Sequence, residues 1–337
     1  MSSPVTIKDI AKALGISAST VSRALKDHPD ISRDTKDAVN ELAKKLHYKP
    51  NAVALSLKSS KTNTIGIIIP ELVHYFFSSV ISGIEDVAYE AGYNVMICQS
   101  NEKYEREIIN AQALLANRVA GALISISKET RDYAHLQNID ESGIPMVFFD
   151  RVPLGFNSDS VIIDDQKAAY NAVCHLIDSG CKRIAHLAAP SSLEIGKYRL
   201  EGYKEALKDH NMPYLEEYVL VADSFDLAAI ATRKLIQLPS PPDGIFTVND
   251  LTAVGVMKTL QKMGIVIPDK VAIMGFSAGS YSDITTPTLS SVDQHGYEMG
   301  TKAATVLLER IEGKKKGPVE TFYVETNLVI RESTKKI

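Results

Sequence analysis

From Thr64 onward the chain alternates short apolar runs with longer amphipathic stretches. TIGIII, NVMIC, GALISI and PMVFFD are separated by helix-periodic segments over 77–91, 103–118 and 130–142. SVIID, RIAHLA, YVLVA, GIFTV and VAIMGF follow, separated by segments over 165–179, 196–210, 226–238 and 250–263. This alternation predicts parallel sheets wound with helices on both faces, an α/β fold. Nine strand-like runs are too many for one small sheet, so two doubly wound, Rossmann-like lobes with a cleft between them are expected.

The first sixty residues read differently. Thr6-Ile7-Lys8-Asp9 has the T-x-x-D form of a capping box, in which the Thr6 hydroxyl can accept from the Asp9 amide. Ile10, Ala11 and Leu14 share a helical face until Gly15, where a turn needs positive φ. Ser17 can cap a second helix with Val21, Ala24 and Leu25 inward and Ala18, Ser19, Ser22 and Arg23 outward. Ser32 can cap a third, striped by Ala38, Val39, Leu42, Ala43 and Leu46 and stopped by Pro50. Two short helices around one glycine make a helix-turn-helix, whose exposed small and forked side chains can reach base edges in a major groove. The hydroxyls of Thr6, Ser17, Thr20 and Ser32 are candidates for phosphate contacts. A plain three-helix packing module is the competing reading.

Charge favours the first of these. Residues 1–61 carry 11 Lys and Arg against 6 Asp and Glu, whereas 62–337 carry 26 against 35. A basic head on an acidic body fits a nucleic-acid footprint confined to the N-terminus. No apolar run reaches the roughly 18 residues of a membrane span, and Met1 to Pro4 lead into a polar periodic segment rather than a signal-peptide core. A cytoplasmic protein without membrane contact is expected. Cys98, Cys174 and Cys181 form neither a C-x-x-C pair nor an even set and are read as buried thiols. With no phosphate loop, no H-E-x-x-H and no clustered His/Cys set, neither metal nor cofactor is expected.

One motif points elsewhere. Gly275-Phe276-Ser277-Ala278-Gly279 spells G-x-S-x-G, the form of a nucleophile elbow. An elbow needs a helix directly after its serine, yet Ala278 to Asp283 are poor helix formers with Pro287 close behind. His295 is the one later histidine that could serve as base, and the expectation is a protein that is not an enzyme. In open parallel sheets, ligands bind beyond the carboxyl ends of the strands. There this chain places Tyr75, Phe76, Asp150, Arg151, Asp165, Leu193, Ile195, Arg199, Phe225, Asn249, Asp250, Ser277 and Gln294. Such a set suits a polar small molecule held by hydrogen bonds against rings, as sugars are. The alternatives are plain core for Tyr75, Phe76 and Phe225, a loop ion pair for Asp150 with Arg151, a helix cap for Asp164 or Asp165, and a solvated charge for Arg199.

The run T-I-K-D-I-A-K-A-L-G-I-S-x-S-T-V-S-R-A-L, followed by H-Y-K-P-N-A-V-A-x-S-L-K, resembles the N-terminus of the LacI/GalR family of bacterial transcription regulators. The body continues the likeness to the end of the chain. The resemblance implies a helix-turn-helix DNA-binding domain over 1–50, a hinge helix and linker over 51–63, and a periplasmic-binding-protein-like effector-binding and dimerisation domain over 64–337. The first lobe of that domain is expected over about 64–160 and 292–322, the second over about 161–291 and 323–337. Ala18, Ser19 and Arg23 fall where the family reads operator bases. Asn51, Ala54, Leu57 and Lys58 lie in a segment that the family makes helical in the minor groove, with Leu57 as its wedge. Taken alone that segment is only about two turns long, and Leu57 could equally pack on the body.

For the body, the resemblance puts Tyr75, Phe76, Asp150, Arg199, Phe225, Asn249 and Gln294 at effector-contacting positions. Two positions depart from the family pattern: Ser277, where many members have an aspartate, and Leu193, where a polar residue is common. The implied function is a repressor whose affinity for double-stranded operator DNA is set allosterically by a sugar-like effector. The resemblance also implies a homodimer, favoured over a tetramer because Arg331 to Ile337 form no heptad tail. A solute-binding or sensor protein of the same two-lobe fold, without regulatory DNA binding, is the alternative.

Overall fold

The computed structural model describes residues 5–46, 48 and 62–334, which fall into two compact units divided after Thr62. In the first unit, α1 (Ile7–Leu14), α2 (Ala18–Leu25) and α3 (Arg33–Lys45) follow the apolar periodicity. Thr6 opens α1 with the expected capping box, its side chain facing the Asp9 amide and the Asp9 carboxylate facing its own amide. The Thr6 hydroxyl and amide both donate to Asp9 Oδ2, at 2.7 and 2.8 Å, because a carboxylate is a stronger acceptor than a hydroxyl. Gly15 ends α1 at φ 66°, the left-handed conformation a glycine adopts without strain. Ser17 Oγ then accepts from Thr20 N at 3.0 Å, and Ser32 Oγ from Thr35 N at 3.4 Å.

Ile10, Ala11, Val21, Ala24, Val39 and Ala43 form the buried core of this unit, with Leu14, Leu25, Leu42 and Leu46 packed against it. Ala38, expected in the α3 stripe, is exposed. The stripe is Val39, Leu42, Ala43 and Leu46, and a helix turns about 100° per residue, so Ala38 lies off that face.

The second unit holds two six-stranded sheets. The first has the order β11-β5-β4-β3-β1-β2. It comprises β1 (Thr64–Ile69), β2 (Asn94–Gln99), β3 (Gly121–Ile124), β4 (Met146–Phe149), β5 (Asp159–Ile163) and β11 (Thr321–Val324), with all neighbours parallel. The second has the order β12-β10-β9-β8-β6-β7. Here β6 (Ile184–Ala188), β7 (Val219–Val221), β8 (Gly244–Thr247), β9 (Ala272–Phe276) and β10 (Ser290–Asp293) run parallel, and β12 (Asn327–Val329) pairs antiparallel to β10.

The helices around the first sheet are α4 (Tyr75–Glu90), α5 (Tyr104–Ala116) and α6 (Ala134–Glu141); those around the second are α7 (Asp165–Asp178), α8 (Glu194–Asp209), α9 (Phe225–Ile236), α10 (Asp250–Lys262) and the short α11 (Tyr281–Ile284). A last helix, α12 (Gly296–Ile311), returns to pack on α4 and the first sheet.

The nine apolar runs are β1 to β9. The remaining strands, SSVD, TFYV and NLV, carry too few consecutive apolar residues to register as buried strands. Because β5 runs to Ile163, β10 to Asp293 and β11 to Val324, the chain changes sheets just after these residues, two or three positions past 160, 291 and 322. None of the three cysteines is in a disulfide; Cys98 and Cys181 are buried, whereas Cys174 is only half-buried. Among the described residues no helix is long and apolar enough to cross a membrane.

Candidate nucleic-acid interface and ligand cleft

Packing Val21 and Ala24 inward turns the start of α2 to solvent. Ser19 and Arg23 are exposed, Ser22 and Thr20 are half-buried, and Ala18 keeps partial contact with the core. Ser17 Oγ lies 2.7 Å from Ser19 Oγ and 2.8 Å from Thr20 Oγ1, so the three hydroxyls form one cluster at the helix start, where the peptide dipoles favour anionic oxygen. Arg23 has no ion-pair partner among the described residues, leaving its fork of donors available. Thr6 and Ser32 are exposed at the starts of α1 and α3. Asn51, Ala54, Leu57 and Lys58 lie outside the described residues.

In the second unit the two sheets point their strand carboxyl ends at each other across a cavity of about 840 Å³, its mouth included. Of the expected effector positions, Phe76, Asp150, Arg151, Leu193, Ile195, Arg199, Asn249, Ser277 and Gln294 line it. Tyr75 and Phe225 do not; they are 43% and 37% exposed at the starts of α4 and α9. Asp165 and Asp250 also stand behind the wall, as buried supports.

Asp165 Oδ1 accepts from Arg199 Nε at 2.7 Å, while Arg199 Nη1 donates to Val248 O at 2.6 Å and its guanidinium lies 3.6 Å from the centre of the Phe276 ring. The arginine that helical position alone would leave in solvent is therefore pinned on three sides, 4% exposed. Asp164 is the residue of the pair that caps α7, accepting from Lys167 N at 2.9 Å.

Asp150 ends β4 at φ 60°, a conformation aspartate tolerates, and its neighbour Arg151 turns back toward Glu102. Arg151 Nη1 is 2.9 Å from both Glu102 oxygens, and its Nε is 3.8 Å from Asp150 Oδ2. Burial pushes the Asp150 carboxyl up to about 6, against the pull of Arg151 and Arg199. Burial likewise pushes His74 below the usual imidazole range, despite Glu71 Oε2 at 3.3 Å from its Nε2.

The G-x-S-x-G stretch is a packing pattern. A side chain at Gly275 would place its Cβ 2.4 Å from Asp250 Oδ1, and one at Gly279 would meet the Tyr75 ring at 2.9 Å. Asp250 takes Ser291 Oγ at 2.6 Å, Gly279 N at 2.8 Å and Ser282 Oγ at 3.0 Å, and so fastens the loop that follows β9. Within it Ser277 sits at φ 125° and donates its hydroxyl to Gln294 Oε1 at 2.9 Å, not to a histidine.

Residues 6–51 match the model of bacterial regulatory proteins of the lacI family, and residues 173–334 match that of a periplasmic binding protein-like domain. The ribose operon repressor of Halalkalibacterium halodurans is 34% identical over 333 residues, 98% of this chain and 97% of that protein. The HTH-type transcriptional repressor PurR of Vibrio vulnificus is 31% identical over 98% of this chain and 99% of its own length. The chain belongs to the lacI family. A crystal structure of the lac repressor dimer bound to operator and the anti-inducer ONPF shares the fold, with a TM-score of 0.87 at 24% identity over 99% of this chain and 100% of that one.

In this member of the family, several cavity residues escaped sequence reasoning, among them Glu102, Lys128 and Asp223. Each follows a strand end, of β2, β3 and β7 respectively, so the rule that picked Asp150 and Asn249 would have found them had charged loop residues been weighed by position. They work together. Glu102 holds Arg151 and accepts from Lys128 N at 2.8 Å, and Lys128 Nζ reaches Asp223 Oδ2 in the other lobe at 3.1 Å.

Proposed function

We propose that the protein is a repressor that reads operator DNA with its helix-turn-helix and answers to a small effector held between the lobes. What carries this is the presence, in one chain, of a capped helix-turn-helix and a two-lobed cleft, matched along 98% of its length by repressors. Ala18, Ser19 and Arg23 read base edges, while Thr6, Ser17 and Ser32 take phosphates. Two copies form a homodimer, as in the lac repressor dimer on operator, so the operator is near-palindromic. The segment around Leu57 wedges the minor groove between the half-sites.

The effector sits among Phe76, Asp150, Arg151, Arg199, Asn249 and Gln294, and the protein works in the cytoplasm without catalysing a reaction. Because effector and operator bear on one equilibrium, each changes the other's affinity by the same factor.

The test is selection of full-length protein on randomised duplexes, followed by binding at several salt concentrations. A near-palindromic consensus with steep salt dependence is expected. Arg23→Ala is expected to relax one base position by about 1–3 kcal/mol, and Leu57→Ala to weaken operator binding and bending without changing the consensus. Binding without sequence preference would overturn the proposal.

A further inference from the structure

The turn after α2 ends that helix with a residue ill suited to the place. Asp27 N donates to Ala24 O at 3.0 Å and His28 N to Arg23 O at 3.0 Å, the paired bonds of a Schellman motif, with Asp27 in its left-handed position at φ 53°. Glycine is the usual residue there, since it has no Cβ to crowd the neighbouring carbonyl. Asp27 adds a second cost, a carboxylate at the negative end of the helix dipole.

Lys36, in the first turn of α3, offsets both. Its Nζ lies 2.7 Å from Asp27 Oδ1 and 3.2 Å from Asp27 O, so one ammonium neutralises the carboxylate and holds the carbonyl of the left-handed residue. The Lys36 side chain is 19% exposed, drawn in against the turn, whereas that of Asp27 is 90% exposed. What the motif fixes is Arg23. Its carbonyl accepts from Lys26 N, at 3.2 Å, as well as from His28 N, and its exposed side chain leaves the last turn of a helix of 8 residues. A helix so short does not hold itself closed in water.

We infer that Lys36 is a positioning residue for operator reading: without touching DNA, it closes the end of α2 on Asp27 and so sets the backbone from which Arg23 reaches its base. The inference rests on the assignment of Arg23 to base reading proposed above. The competing roles for a lysine of this head are a phosphate contact and a purely stabilising ion pair.

The test titrates full-length protein with the selected operator and with the same duplex changed at the base pair that Arg23→Ala relaxes, at several salt concentrations. Lys36→Met is expected to lower discrimination between the two duplexes about fivefold or more, with the salt slope of operator binding unchanged. Lys36→Arg should keep wild-type discrimination, its guanidinium reaching the same two oxygens. Added to Arg23→Ala, Lys36→Met should change discrimination by less than about twofold, since the side chain it positions is gone. Added to Asp27→Gly, it should also cost less than about twofold, because glycine holds the left-handed position unaided. If Lys36→Met does not fold, Lys36→Gln, whose amide cannot neutralise the carboxylate, carries the same comparisons.

Wild-type discrimination in Lys36→Met with a salt slope smaller by about one would make Lys36 a phosphate contact, and with only the thermal stability reduced would make it structural; either overturns the inference. A loss as large in the Asp27→Gly background as in the wild type would overturn it too. Should Arg23→Ala relax no base pair, the reading of Arg23 fails; should it do so while Lys36→Met does not, only the role of Lys36 fails.

Discussion

Lys128 Nζ lies 3.1 Å from Asp223 Oδ2, and the two residues belong to different lobes. The loop that carries Lys128 is held from below: Glu107, fully buried, accepts from Ser127 N at 2.6 Å and from Thr130 Oγ1 at 2.9 Å, and lies 2.9 Å from His135 Nε2. From the same loop Arg131 Nη2 reaches Ser192 Oγ in the second lobe at 2.7 Å. The cleft mouth is thus tied twice from one rigid support.

Because the Lys128 side chain is 36% exposed, its pair with Asp223 is worth only about 0.5–1 kcal/mol. Lys128→Ala alone is expected to change the solution radius of gyration of the full chain little. Lys128→Ala with Arg131→Ala, which removes both ties, is expected to increase it by opening the lobes. Small-angle scattering decides; an unchanged profile in the double variant would show that closure rests elsewhere.

The Asp150 carboxyl gives the cleft a pH response. Its value of about 6 in the folded chain, against 3.8 in a free side chain, means that the folded state holds a proton which the unfolded state has lost over that interval. Its contribution is therefore fully present below about 4 and lost as pH rises through about 6, by about 3 kcal/mol. Asp150→Asn should be more stable than wild type at pH 7 by up to that amount, with the gain vanishing below pH 4. Chemical unfolding across the range measures it, and a pH-independent difference would refute the assignment.

How far the sequence carried follows from which interactions are local. Caps, the Gly15 turn and the apolar runs of β1 to β9 are set within a few residues, and all were legible. The pairing of Arg199 with Asp165, 34 positions apart, depends on α8 packing against α7, so a helical arginine looked solvated. Tyr75 and Phe225 were named as aromatic residues at strand ends, but helix phase, which periodicity fixes only loosely there, sets them outside the cavity wall. The last three strands escape for two reasons: β10 is buried but built from Ser290, Ser291, Val292 and Asp293, and the edge strands β11 and β12 are only four and three residues long, so no apolar run announces them.

Gly275 is required by space rather than by φ. Its absent Cβ would stand 2.4 Å from Asp250 Oδ1 and 3.1 Å from Leu289 Cδ2, both on elements that cannot yield without loosening the loop after β9. Gly275→Ala is expected to cost about 2–3 kcal/mol of stability. Ser277→Ala removes only the bond to Gln294 and should cost about 1 kcal/mol. A fluorophosphonate probe should label neither protein. If Gly275→Ala were the milder of the two, or if Ser277 were labelled, the packing account of this stretch would fail.

His186 sets an opposing pH response in the second lobe. Fully buried, it stacks on Phe246 with centroids 4.7 Å apart, places Nδ1 3.2 Å from Phe246 O, and leaves Nε2 without a partner. Burial lowers it to about 4, helped by the charge of Arg199. Between about 6.5 and 4 the unfolded chain binds a proton at this histidine and the folded chain does not. Its contribution is present above about 6.5 and lost as pH falls toward 4, by about 3 kcal/mol. This runs against Asp150 over nearly the same interval, so the two largely cancel in the wild type. Relative to wild type, His186→Phe should lose about 1 kcal/mol at pH 7 for the missing bond to Phe246 O and regain it on acidification. Asp150→Asn should do the reverse, gaining at pH 7 and giving the gain up in acid. Parallel pH slopes in the two variants would mean that neither buried group titrates as its surroundings require.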